Sequence, residues 1–199
     1  TSQKNDNPSQ TPRPFDKDRD GLVIGEGSAT LILESLDHAK ARGATIYAEI
    51  VGFGTNCDAK HLTQPTAEKM QVALQLALDY AKISADKIGY VNAHGTSTEL
   101  GDIAESIATY NVFQKPIHIS SIKGYFGHTL GAAGSLEAWL TIEMMNRNTL
   151  IPNINLESVD DRCADLDYIT KPLALDAEYV MSNNFAFGGV NTSLIFKKY

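Results

Sequence analysis

The chain has 199 residues, 43% of them hydrophobic and 21% charged, with a net charge of −7 at pH 7; this is the composition of an ordinary soluble globular protein, and about 70% of the unfolded surface is buried at this length. The acidic balance argues against nucleic acid as a partner, no run nears the ~18 apolar residues of a membrane span, and residues 1–20 are too polar for a secretory signal. Two cysteines, Cys57 and Cys163, are too few for a disulfide scaffold and are expected as reduced, inert thiols in a cytoplasmic protein.

The opening TSQKNDNPSQTPRPF holds three prolines and almost no apolar residue, so residues 1–20 are expected to form a loop or linker ahead of one domain over 21–199. GLVIGEG and SATLILES then read as two buried strands with a glycine-bearing turn between them. SLDHAKARG reads as a short helix ended by Gly43. IYAEIVGFGTNC is a third strand, leading into the loop DAKHLTQP. Apolar residues recur every three or four positions over 66–82, which predicts an amphipathic helix with Thr66 as its N-cap. IGYVNAHG reads as a strand, ELGDIAESIATYNVF as a helix, PIHISSI as a strand and HTLGAAGSLEAWLTIEMMNRN as one long helix. YVMSNNFAFGGVNTSLIF closes the chain as two strands around a glycine turn. Strands alternating with helices predict a layered α/β fold.

Two strand-to-helix turns carry chemistry. NAHGTST puts His94 directly after a strand, beside the hydroxyls of Thr96 and Thr98. KGYFGH puts Lys123 and His128 after the next strand. In layered α/β folds, ligands bind where strands end and helices begin, so the two turns are expected to meet at one ligand position, with Lys123 close to His128. GHTLGAAG has the wrong spacing for a dinucleotide fingerprint, and its small residues fit close helix packing better. The five histidines, at 38, 61, 94, 118 and 128, show no metal-ligand spacing, so no metal is expected. NNFAFGGVN places Phe187 before Gly188 and Gly189, either as a core aromatic before a hairpin turn or as an aromatic hinged on two glycines.

Five ordered motifs, RPFDKDRDGLVIGEG, DAKHLTQP, NAHGTST with its following GD, KGYFGHTLGAAGSLE and NNFAFGGVNTSLIF, together resemble the C-terminal half of a β-ketoacyl-[acyl-carrier-protein] synthase of the synthase II kind. The resemblance covers essentially the whole chain. It implies the thiolase fold, two similar halves of layered α-β-α architecture, and decarboxylative Claisen condensation of a malonyl unit with an acyl chain in fatty acid or polyketide biosynthesis. It implies that both acyl groups arrive on the phosphopantetheine of an acyl carrier protein, with no further cofactor. By the same resemblance His94 and His128 are the enolate donors, Lys123 keeps them neutral, and Thr96 and Thr98 bind the pantetheine arm. Phe187 matches the gating aromatic, whose N–H serves the oxyanion hole; Gly188, Gly189 and His61 lie among the substrate-binding positions, and Glu137 sits behind the site. The implied partners are an N-terminal half that supplies the nucleophilic cysteine, a second ketosynthase-like subunit and the carrier protein. Glu99, Ala186 and Val190 stand where the family more commonly has proline, glycine and threonine. The alternative within the resemblance is a non-catalytic chain-length factor, and the joint presence of His94, Lys123 and His128 argues against it.

Overall fold

The computed structural model describes residues 1–59 and 65–199. In chain order these form α1 (Leu36–Ala41), β1 (Glu49–Cys57), α2 (Ala67–Ala81), β2 (Ile88–Asn92), α3 (Glu99–Phe113), β3 (His118–Ser120), α4 (Lys123–Phe126), α5 (Ala133–Asn146), β4 (Thr149–Leu150), β5 (Asp167–Tyr168), β6 (Leu173–Ala174), β7 (Tyr179–Phe185) and β8 (Val190–Lys197). The main sheet runs β1-β8-β7-β2-β3-β5, and β4 pairs with β6 alone. β8 is antiparallel to both its neighbours, whereas β7, β2, β3 and β5 are mutually parallel.

Strand periodicity sorts the core into two clusters. Ile88, Val91, Met181 and Ile195 point to one face and pack with Met70, Leu74 and Ala77 of α2 and Ala104 and Ala108 of α3. Their strand neighbours Tyr90, Val180 and Phe196 point to the other face and meet Ala138, Met144 and Met145 of α5. A sheet buried on both faces needs helices on both, which gives the three-layered α-β-α arrangement expected from the sequence.

α2 crosses the edge strand at a glycine. A Cβ at Gly54 would stand 2.1 Å from the Ala73 carbonyl oxygen and 2.7 Å from the Ala77 nitrogen. Both obstacles are backbone and cannot rotate away. Gly54→Ala is therefore expected to destabilise the fold by about 1–3 kcal/mol, read as a lower urea midpoint at unchanged slope. An unchanged midpoint would mean that α2 lifts off β1 freely.

Several local expectations are corrected. Residues 21–35 do not form two buried strands: they carry only one isolated bridge, from Ile24 to His128. Gly25 permits the close approach there, because a Cβ at that position would lie 2.0 Å from the Phe126 carbonyl oxygen. Further on, Ile32 and Leu33 are 79% and 70% exposed and have no strand beside them. They line a concavity of about 910 Å³ with Leu31, Leu36, Trp139 and Ile142, an apolar face on the α5 side of the sheet. Residues 1–20 are loop and turns apart from one isolated bridge from Asp16 to Val159, but they are not detached. Phe15 is fully buried, and the main-chain N–H groups of Arg13 and Phe15 donate to Ser97 and Asp102. The long helix expected from His128 starts only at Ala133, after a single tight turn over Leu130–Ala132. Thr66 stands at the N-cap of α2, but its side chain accepts no capping hydrogen bond. Among the described residues, no helix is long and apolar enough to cross a membrane.

Candidate active site

The parallel strands β2 and β3 lie side by side, so the loops after them open onto the same end of the sheet. The first loop, Ala93–Thr98, is tight: Gly95 and Ser97 both have positive φ, 36° and 66°. Two buried carboxylates of α3 hold it. Glu105 accepts the His94 and Gly95 N–H groups at 2.8 and 2.7 Å. Asp102 accepts those of Thr96 at 3.0 Å and Phe15 at 2.8 Å, while Arg19 lies 3.5 Å away and also pairs with Asp160. Burial lifts the Glu105 carboxyl to about 8 and the Asp102 carboxyl to about 6, against the pull of these donors. Sequence reasoning did not assign Glu105 or Asp102 a role. Their i, i+3 spacing on one face of a helix was the available signal.

The second loop delivers Lys123, which is 1% exposed. Its ammonium lies 2.5 Å from the His94 carbonyl oxygen, 3.3 Å from His94 Nδ1 and in contact with Glu137 Oε1. These three acceptors account for its three protons. The other Glu137 oxygen accepts from Asn184 Nδ2 at 3.1 Å. Lys123 is close enough to His128 for its charge to act on that ring, but its hydrogen bonds go to His94 and Glu137. α4 begins at Lys123 and turns its side chain back beneath the first loop.

His94 and His128 meet edge to face, their ring centroids 5.2 Å apart, and Phe185 closes on His94 at 6.1 Å. Burial, then the Lys123 charge, then His128, hold the His94 imidazole well below its ordinary range. Burial, then Lys123, pushes His128 down to about 4. Both rings are therefore neutral at physiological pH. The Leu130 N–H donates to His128 Nδ1 at 3.1 Å, which leaves that ring's proton on Nε2. Lys123 can only donate, so His94 Nδ1 accepts and its proton also sits on Nε2.

Both rings line one cavity of about 460 Å³ with Thr96, Thr98, Leu100, Phe185, Phe187 and Gly189. The Thr96 and Thr98 hydroxyls lie 2.9 Å apart at its wall. Phe187 stands at the rim, 55% exposed, on the turn between β7 and β8. Gly188 and Gly189 carry that turn with φ of 82° and 79°. The Phe187 N–H has no hydrogen-bond partner among the described residues. Gly188 itself is not at the wall; its carbonyl faces the Cys57 thiol at 3.5 Å. His61 lies outside the described residues. Neither cysteine lines the cavity: Cys57 is exposed, and burial lifts the Cys163 thiol to about 11. The arrangement offers two neutral N–H donors on one small volume, hydroxyls beside them and a backbone N–H at the rim.

Comparison with known proteins agrees with this geometry. Residues 47–157 match the family model described as the C-terminal domain of β-ketoacyl synthases. The chain is 44% identical, over 99% of its length, to 49% of the 3-oxoacyl-[acyl-carrier-protein] synthase 2 of Vibrio harveyi. A crystal structure of a β-ketoacyl synthase from Burkholderia phymatum superposes with a TM-score of 0.99 at 65% identity, covering 100% of this chain and 49% of that one. A type II polyketide ketosynthase, solved with its acyl carrier protein and bound to a hexaketide, gives a TM-score of 0.90 at 33% identity, covering 100% of this chain and 50% of that one. The chain spans about half the length of the curated relatives it matches.

Proposed function

The chain belongs to the β-ketoacyl synthase family, matching its C-terminal domain, and from that premise we propose that it supplies the decarboxylating half of a β-ketoacyl-[acyl-carrier-protein] synthase site. The malonyl thioester oxygen sits between His94 and His128. The bond to the malonyl carboxylate breaks, carbon dioxide leaves, and the electron pair stays on the thioester as an enolate. Donors placed where that charge develops stabilise the transition state more than the ground state. The enolate carbon then attacks an acyl thioester on a cysteine of the N-terminal half. That carbon–sulfur bond breaks, and the cysteine leaves as thiolate. The Phe187 N–H receives the oxyanion that forms on the acyl carbonyl, and its ring gates the acyl chain on Gly188 and Gly189. The Thr96 and Thr98 hydroxyls bond the amides of the phosphopantetheine arm that brings the malonyl unit, and the reaction needs no further cofactor.

The observation that carries this reading is the pair of neutral imidazoles converging on one cavity with their donor nitrogens free. It favours a catalytic subunit over a chain-length factor, which has no use for such a pair. The concavity beside α5, where Ile32, Leu33 and Trp139 stand exposed, supports the N-terminal half as the partner seated there. A second ketosynthase-like subunit completes a dimer, and the reading places the enzyme in the cytoplasm. The test is to assemble the chain with its N-terminal half and measure carbon dioxide release from malonyl-carrier protein. Release, together with formation of a β-ketoacyl product, is expected. A folded assembly with neither would refute the reading.

A further inference from the structure

Glu137 and Lys123 form an ion pair that is buried on both sides, 0% and 1% exposed. A carboxylate in that position needs a donor for each oxygen, because an unpaired buried lone pair carries a large desolvation penalty. Lys123 satisfies Oε1, and Asn184 Nδ2, 3.1 Å away, satisfies Oε2. Asn184 lies on β7, immediately before the phenylalanine whose ring closes on His94. Its carboxamide also passes beside Gly134 of α5, where an added Cβ would stand only 3.6 to 3.8 Å from the three carboxamide heavy atoms.

The four side chains form a chain: Asn184 to Glu137, Glu137 to Lys123, and Lys123 to His94. Each comes from a different element, namely β7, α5, α4 and the loop after β2. We propose that Asn184 is a positioning residue of this site, which pins the free oxygen of Glu137 and so keeps the Lys123–Glu137 pair where Lys123 can fix the ring of His94. The proposal rests on the synthase reading above for its activity readout, and it assigns Asn184 no contact with substrate.

The consequence is a pH dependence. Burial already raises the Glu137 carboxyl, against the pull of Lys123 and Asn184. The charged or polar groups around it are Lys123 on α4, Asn184 on β7, the Tyr90 phenol on β2, and His94 through Lys123. Removing the Asn184 donor raises the carboxyl further, so it takes up a proton at a higher pH. A protonated Glu137 no longer balances the ammonium, and the Lys123 anchor on His94 loosens. The pair is intact above that pH and is lost as pH falls through it.

The experiment is the pH profile of carbon dioxide release from malonyl-carrier protein by the assembled enzyme, wild type against Asn184→Leu, with thermal unfolding recorded for each. One lost hydrogen bond to a charged group corresponds to about one to two pH units. The acid limb should therefore move up by that amount, with the rate recovering toward wild type on the alkaline side of the moved limb. A rate lowered by the same factor at every pH, with the limb unmoved, would overturn the positioning role and leave the synthase reading untouched. A wild-type assembly that releases no carbon dioxide would sink the synthase reading instead; the Asn184 role would then be read from the Lys123–Glu137 geometry in a crystal structure of Asn184→Leu. An unchanged pair there would overturn it. Should Asn184→Leu not fold, the isosteric Asn184→Asp decides. Its carboxylate faces Glu137 at the same distance, so the acid limb should again move up, and an unmoved limb would overturn the proposal.

Discussion

Replacing His128 by alanine is expected to cut malonyl decarboxylation by about 10²-fold or more, the usual cost of one lost oxyanion donor. The expectation rests on the protonation pattern. Burial and Lys123 hold His128 down to about 4, so the ring is neutral in the working range. The Leu130 N–H occupies Nδ1, and the Nε2 proton is left for the ligand. Alanine removes that donor and frees only one main-chain N–H at the cavity edge, so the loss of fold stability should stay near ~1 kcal/mol. His128→Asn keeps an N–H near the same place and should recover part of the rate. The measurement is carbon dioxide release from malonyl-carrier protein by the assembled enzyme, with the melting temperature recorded alongside. A His128→Ala rate within about twofold of wild type would remove this ring from the chemistry.

Glu137→Leu should have the largest effect on stability. The substitution leaves the Lys123 ammonium 1% exposed beside an apolar side chain, its remaining acceptors being His94 O and Nδ1. Breaking a buried pair from one side costs about 3–5 kcal/mol. For a domain of this size each kcal/mol lowers the melting temperature by about 2–4 °C, so a fall of roughly 6–20 °C is expected by calorimetry. Lys123→Met combined with Glu137→Leu removes both charges and should regain most of that loss, as apolar replacement of whole buried pairs often does. The double variant should still decarboxylate poorly, because nothing then fixes the ring of His94. If the double variant melts as low as Glu137→Leu, the cost lies in packing rather than in an uncompensated charge.

The sequence by itself determined the class of the fold and the place of the two imidazoles. Apolar residues at Ile88, Tyr90 and Val91 and at Val180, Met181, Ile195 and Phe196 specified strands buried on both faces, and the structure divides Tyr90 from Val91, Val180 from Met181 and Ile195 from Phe196 as the period requires, while an irregularity between Ile88 and Tyr90 puts Ile88 on the face of Val91. The turns after Asn92 and Ser120 marked His94, Lys123 and His128, because a short motif names the residues at the end of its own strand. It carries no information about residues across the sheet. Lys123 bonds His94 rather than its sequence neighbour His128, and Glu137 from α5 and Asn184 from β7 extend that chain. The Asn184 contact depends on the strand order β7-β2-β3, which no local pattern carries. Residues 28–35 read as a buried strand because they are apolar, yet Ile32 and Leu33 face outward with no strand beside them. Hydrophobicity states that a segment needs covering, and only the tertiary structure decides whether this chain covers it. The same holds for charge: the sequence displays Glu105 and Asp102 as ordinary acids, and only the family resemblance marks Glu137 as lying behind the site. Burial, which the packing of α3 and α5 alone sets, lifts all three above the usual carboxylate range and turns them into the frame of the site.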